Sequence, residues 1–326
     1  SIILLIDIFD DNLKKTLTNF LAVNSAEIFK QSLKIFIFYS LLTVIIFIIL
    51  NIFNFRSFIS LNLSMTLIAS GGFLPFNNLD LVLNTQTKII VFSFLMLLSF
   101  VSLFFLYNLL KYKKKIIKFI QEDIYLIIYL TIIIFGLFLL TDKNINFSII
   151  FLSIASSVSN IGISLKNSPE YLSFIFLILI IIGGSFFSTS SGLRLIKIVS
   201  LFKFSINEII SNAKPKNVFI NKLWFSEKIM VNSDFYKYFL SILVFIISLV
   251  FLSSIISILG LSLENSFKLS TLTLMNTVNS HMTDLNGLNF EKLSYSSKYF
   301  LILFMIIGRV ELLSLLIISK KFFFKN

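Results

Sequence analysis

The sequence predicts an all-α polytopic membrane protein, and three observations carry that class. Of 326 residues, 57% are apolar and only 13% charged, with a mean hydropathy of +0.95; a soluble domain averages about 45–50% apolar and about 25% charged. Apolar runs long enough for a bilayer alternate with shorter ones, and a spanning helix needs about 20 mostly apolar residues. The basic residues collect in the gaps between runs. That placement writes membrane topology rather than a nucleic-acid stripe, despite a net charge of +12.

Taken in chain order, the opening stretch Ser1–Ile8 is too short to span and runs into the charged Asp10–Lys15. It is either a surface anchor or, as favoured here, the tail of a helix belonging to a truncated first unit, with residues 1–32 as its end and linker. It lacks the basic flank of a signal peptide. Long runs then cover Leu33–Phe53, Ile89–Leu110, Ile124–Leu140, Tyr171–Ile182 continuing through a glycine break to Val199, Phe239–Gly260 and Tyr299–Ser319. Within each successive pair lies a shorter run rich in Ser, Thr and Asn: Phe55–Ala69, Phe147–Val158 and Ser266–Asn276. Runs of that length suggest re-entrant segments. Each leads into a polar stretch, with turning points expected at Gly72, Gly162 and Asn279.

The arrangement is therefore long–short–loop–long three times, and such repetition fixes a fold. It divides the chain into units at 33–120, 121–204 and 236–326, with a polar insertion at 205–235. In the insertion, Lys214–Phe225 alternates around an Asn-Lys turn and reads as a small hairpin. If the long runs alternate across the membrane, twenty basic residues fall on one side and seven on the other, with Arg309 inside a span. The richer side is expected to be cytoplasmic, and the three short segments then open outward. The run Lys111–Lys118 is a solvated loop or a contact for anionic lipid headgroups.

Non-helical chain at membrane depth survives only where it is buried or lines a wet cavity. Three such loops suggest a shared axis, on which backbone carbonyls can replace the hydration shell of a monovalent cation. Short helices that end at the loops aim their negative ends there. Read singly, Gly71 and Gly72 fit an extracellular turn as well as a cation path; the repetition favours the path.

Four motifs resemble the Trk/Ktr/HKT potassium transporters, TrkH-like cation transporters built from four M1–P–M2 repeats (helix, re-entrant pore helix and loop, helix). Ala69-Ser70-Gly71-Gly72-Phe73 resembles that family's second filter, and Ser159-Asn160-Ile161-Gly162-Ile163 its third. The segment from Gly183 to Lys197 is similar to the glycine- and serine-rich break in the third M2 helix, and Gly308-Arg309-Val310-Glu311-Leu312 to a motif of the fourth. The resemblance covers repeats two to four. Asn279 stands where the family carries glycine, and Phe187, Ser191 and Arg194 replace Gly, Gly and Lys.

The resemblance implies a potassium-channel-like pore with a filter formed by Ser70, Gly71, Gly72, Asn160, Ile161, Gly162, Val278 and Asn279. It implies a gate at Gly183, Gly184, Ser188, Thr189, Ser190, Gly192 and Arg309. Packing of small residues between helices is the alternative reading of Gly183–Gly192. Potassium would be substrate, with no cofactor. The implied partners are membrane lipid, a second copy in a homodimer and a cytosolic nucleotide-binding regulatory subunit of TrkA type, for which the hairpin is one contact; packing of Trp224 on the membrane surface is the other reading. No nucleic acid is expected, and the location implied is the bacterial inner membrane. Sodium permeation, or a diverged scaffold that transports nothing, is the alternative function that Asn279, Phe186 and Phe187 raise.

An enzyme is not expected. The chain has no cysteine and one histidine, His281, which reads as a solvated lip residue rather than a ligand. No catalytic set or phosphate-binding loop is present. Arg309 and Glu311 lie in a predicted span, where each charge costs about 2.5–3.5 kcal/mol unless it is paired or hydrated. Their spacing puts them on different helix faces, so Arg309 is expected to face the cavity or the broken segment.

Overall fold

A computed structural model of the chain describes residues 28–76, 79–101, 117–141, 145–185, 188–213, 232–283, 285, 288 and 290–310. The described regular structure is helical, without strands. The helices are α1 (Ile28–Ile52), α2 (Ser57–Ala69), α3 (Gln86–Phe100), α4 (Ile117–Leu140), α5 (Phe147–Val158), α6 (Ser173–Ile182), α7 (Leu195–Ala213), α8 (Asn232–Ile258), α9 (Leu263–Leu274) and α10 (Tyr295–Val310).

Local chemistry sets several of these bounds. Thr85 caps α3 by accepting the Lys88 N–H, and Ser262 caps α9 by accepting the Asn265 N–H. Helix α6 stops where Gly183 takes φ +67. Within the apolar helices, serine and threonine hydroxyls turn back onto the preceding turn, as in Ser93 to Ile89, Ser157 to Ser153 and Thr273 to Leu269. Those bonds satisfy polar side chains without solvent. Helix α7 runs unbroken across 204–205, where the polar insertion was expected to begin, because Leu201, Phe202, Ile206, Ile209 and Ile210 continue a helical apolar spacing to Ala213. The expected hairpin Lys214–Phe225, together with Phe186, Phe187 and Glu311, lies outside the described residues.

Each short helix packs on both its neighbours in sequence: α2 on α1 and α3, α5 on α4 and α6, α9 on α8 and α10. The triplets are joined where α3 meets α5 and where α6 meets α9. Helix α5 is the centre. Ser148 and every residue from Ile150 to Val158 are buried, and the helix feeds two cores. Leu152 and Ala155 belong to the core of α1 to α3, with Ile46, Leu63, Leu67 and Phe92; Ile150, Ile154 and Val158 pack with Phe176, Leu252 and Leu272. The outer faces are apolar and exposed, for example Phe36, Val44 and Ile48 on α1 and Ile247, Val250 and Phe251 on α8. Among the described residues one helical stretch, Tyr238–Ile258, is by itself long and apolar enough to cross a bilayer, at 21 residues; the other apolar helices are shorter.

Candidate functional site

The three short helices end in the same way. Past each C-terminus an N–H reaches back to a carbonyl five residues earlier: Gly71 to Thr66 at 2.9 Å, Ile161 to Ser156 at 3.1 Å and Thr277 to Leu272 at 2.9 Å. The residue before each donor is left-handed, Ser70 at φ 51°, Asn160 at 58° and Asn276 at 52°. Such closures satisfy terminal carbonyls and turn the chain sharply away from the helix axis.

The three loops then meet. A Cβ built on Gly72 would fall on the carbonyl oxygen of Ile161 and come 2.5 Å from Cγ2 of Val278. One built on Gly162 would fall on the carbonyl oxygen of Val278 and come 2.6 Å from its nitrogen. Both glycines have positive φ, 70° and 79°, so two independent constraints demand glycine there: backbone angle and lack of space. Side chains hold each loop in place. Thr66 donates to the Phe73 carbonyl at 2.8 Å, the Asn160 amide to the Ile180 carbonyl at 2.9 Å, and the Asn276 amide to the Met305 carbonyl at 3.0 Å.

The last loop departs from the other two. By the helix closure, Asn276 corresponds to Ser70 and Asn160; by the contacts between loops, Val278 occupies the place of Ile161. The last loop thus carries one residue more between closure and contact. Asn279 does follow the contact residue, as expected, but it does not adopt the left-handed backbone that Gly72 and Gly162 share. The left-handed asparagine is Asn276. Asn279 instead accepts a hydrogen bond from the Thr283 hydroxyl at 2.8 Å through Oδ1, which turns its side chain along its own loop.

The broken segment between α6 and α7 lies against the first loop. Gly183 and Gly192 cross so closely that a Cβ on Gly192 would come 2.5 Å from the Gly183 Cα. The intervening chain packs under the end of α3: Ser185 N–H donates to the Phe100 carbonyl at 3.1 Å and Ser190 N–H to the Ser99 carbonyl at 3.2 Å. Thr189 donates to Ser99 O at 3.3 Å and accepts from the Ser70 hydroxyl at 3.4 Å. Arg309 of α10 donates to Ser191 Oγ at 3.2 Å and to the Ala69 carbonyl at 3.0 Å. Arg194, itself left-handed at φ 69°, turns its guanidinium back into the segment and donates to Ser185 O, Ser188 Oγ and Ser190 O, each at 2.9 Å.

Of the residues singled out by sequence, Gly72, Ile161, Gly162 and Val278 are brought together, and Ser70, Thr189 and Arg309 link them to the segment Gly183–Gly192. Gly71 stands aside: a Cβ there would meet nothing closer than 3.5 Å. Ser99, Phe100 and Asn276 escaped the sequence reading as site residues, and Ser185 was seen only as part of the predicted break. Only Asn276 carried a usable signal, as an asparagine just past a helix end. The arrangement offers peptide oxygens, hydroxyls and two guanidinium groups. His281 lies in a short turn, Met282 of which donates its N–H to Ser164 Oγ at 3.2 Å. Among the described residues no group of three His, Asp or Glu side chains could hold a metal ion.

No family model matches the chain, and no curated protein matches it. Among solved structures, the chain is similar to the crystal structure of the potassium transporter TrkH from Vibrio parahaemolyticus, with a TM-score of 0.75 and 20% identity over 97% of this chain and 68% of that one. The fold is TrkH-like.

Proposed function

We propose that the chain is the conducting part of a monovalent-cation uptake protein, selective for potassium, in a bacterial cytoplasmic membrane. The observation that carries the reading is the approach of the backbones at Gly72, Ile161, Gly162 and Val278, at the ends of three short helices. Unpaired carbonyls held at such a meeting point can exchange for the water around a dehydrated ion. The C-terminal ends of α2, α5 and α9 add a favourable potential for positive charge. The three helix triplets are then pseudo-symmetric units around one axis, completed by a fourth loop outside this chain. Below them, the segment Gly183–Gly192 with Arg309 beside it acts as the gate.

Inward flow needs no further energy source, because the membrane potential supplies about 2.3 kcal/mol per charge per 100 mV. A homodimer and a cytosolic nucleotide-binding regulator of TrkA type complete the assembly on this reading; the protein is no enzyme, and potassium is its cargo. Rubidium uptake by cells expressing the full-length protein tests the proposal. Gly72→Arg should abolish it, and uptake that survives this change would remove Gly72 from the ion path.

One observation favours a second reading. The Val278 side chain sits beside Gly72, and a branched apolar group at the meeting point of the loops suits altered selectivity toward sodium or a scaffold that conducts nothing. Val278→Gly separates these readings. A gain of rubidium uptake from a silent starting protein supports the scaffold, and a shift from sodium to rubidium supports altered selectivity.

A further inference from the structure

On α1, the exposed apolar side chains Ile37, Leu41, Val44, Ile48 and Ile52 recur at steps of four, three, four and four residues. That spacing lays them along one face of the helix. From Leu41 to Ile52 the stripe runs about 16 Å at the helical rise, close to the hydrocarbon depth of one leaflet, about 15 Å. It ends at a closed corner. There the Phe55 N–H returns to the Leu50 carbonyl at 3.2 Å, and Asn54 is left-handed at φ 58°.

The corner carries two basic side chains. Lys88, from the first turn of α3, donates through Nζ to the Asn54 carbonyl at 3.4 Å and lies 5.1 Å from the centroid of the Phe55 ring. A peptide oxygen and a ring face thus tether its ammonium at the end of α1. Arg56 follows Phe55 directly and is exposed. Among the described residues neither cation has an acidic partner.

We propose that this corner binds an anionic glycerophospholipid, its phosphodiester held between Arg56 and Lys88 and an acyl chain lying along Leu41, Val44, Ile48 and Ile52. Charge complementarity selects the occupant. A guanidinium forks onto two phosphate oxygens, and a lysine ammonium has donors beyond the one given to Asn54. A phosphatidylcholine headgroup would bring its own positive charge to the same place. Because Lys88 is already fixed, little side-chain freedom is lost when the headgroup arrives. The inference requires the chain to lie in a bilayer, not to conduct.

Full-length protein in which Ile52→Trp supplies the one tryptophan, reconstituted in phosphatidylcholine vesicles, places a reporter at the end of the stripe. Quenching by acyl-brominated phosphatidylglycerol, compared with acyl-brominated phosphatidylcholine at equal mole fraction, gives the relative affinity of the two lipids there. The attraction of one basic residue to anionic lipid corresponds to about fivefold in affinity, so the parent should prefer phosphatidylglycerol by about fivefold or more. Arg56→Gln with Lys88→Gln should bring the ratio to about one at unchanged quenching by the brominated phosphatidylcholine, which verifies insertion. Arg56→Lys with Lys88→Arg keeps both charges and should keep a preference. A reporter at Ile258→Trp, on the exposed end of α8, should show a ratio of about one. Equal quenching by the two lipids at position 52 overturns the site. So does a preference that survives the glutamine pair, or an equal one at position 258, since either would express the net charge of the whole chain. A charge-keeping pair that behaves like the glutamine pair overturns it as well. Quenching needs no ion flux, so the two readings fail separately: selective quenching without rubidium uptake would leave the lipid site and remove conduction, and uptake with equal quenching would do the reverse.

Discussion

Arg309 reaches the carbonyl of Ala69 at 3.0 Å, joining the last helix to the end of α2 across 240 positions of sequence. The carbonyl it holds is the terminal one of a short helix whose C-terminal end carries partial negative charge. The same guanidinium grips Ser191 at 3.2 Å. On the proposed reading, one positive group therefore offsets the negative helix end beside the ion path and secures the broken segment at once.

Replacement of Arg309 by glutamine should consequently raise the initial rate of rubidium uptake. The change removes a positive charge from beside the proposed path and two charge-assisted hydrogen bonds, each worth about 1.5–3 kcal/mol. Even partial expression of that energy in the opening equilibrium gives a several-fold gain. A fall in uptake with normal membrane abundance would mean that Arg309 supports the path rather than closing it.

The glycines of the first loop make a matched pair. Gly72→Ala combines a left-handed backbone angle with overlap on the Ile161 carbonyl and crowding by Val278, for a combined cost of about 3 kcal/mol. Gly71→Ala meets the Phe73 ring at 3.5 Å and the Thr66 carbonyl at 4.0 Å, both ordinary contacts. The first variant should lose uptake and melt markedly earlier in detergent; the second should resemble the parent in both measurements. Equal damage from the two would mean that the loop tolerates no side chain for reasons other than the meeting of backbones.

Much of this architecture was legible in the sequence, for identifiable reasons. The bounds of α5 are those of the apolar run Phe147–Val158, because polar residues flank it on both sides, and the break at Gly183 was visible as small residues inside an apolar run. The closure register of the last loop was not. Asn276 and Asn279 are three residues apart in an equally polar stretch, and only the hydrogen bond from Thr277 to Leu272 assigns the left-handed turn to the first. The extension of α7 to Ala213 was hidden because Lys203, Ser205, Asn207 and Glu208 dilute its apolar face. Nor could composition reveal that Arg194 turns back onto Ser185, Ser188 and Ser190, since that depends on how the segment folds.

Two helical glycines test packing away from the loops. Gly308 lies where α10 crosses the end of α9, and an added Cβ would fall on the Leu274 carbonyl. Gly136 in α4 has nothing within 4 Å of that position. Gly308→Ala should therefore destabilise the protein by about 1–3 kcal/mol, while Gly136→Ala should be neutral or gain up to about 1 kcal/mol of helix propensity. Thermal unfolding of the two purified variants decides the point, and the order of their midpoints is the result to read.

Asn160 joins two demands in one side chain. Its backbone is left-handed at φ 58°, and its buried amide donates to the Ile180 carbonyl at 2.9 Å, tying the second loop to the last turn of α6. That carbonyl sits just ahead of the Gly183 break, so the bond also anchors the start of the broken segment. Asn160→Gly keeps the backbone angle and loses only the bond, at about 1–3 kcal/mol. Asn160→Ala loses the bond and adds the left-handed penalty, about 1–2 kcal/mol more. The expected order of melting is therefore parent, then glycine, then alanine. In the full-length protein with Thr189→Cys as its one accessible thiol, both variants should also react faster with a thiol reagent than the parent, because the segment has lost its hold at Ile180. If alanine melts no earlier than glycine, the turn at Asn160 contributes nothing beyond its amide, and left-handed geometry is not what selects asparagine there.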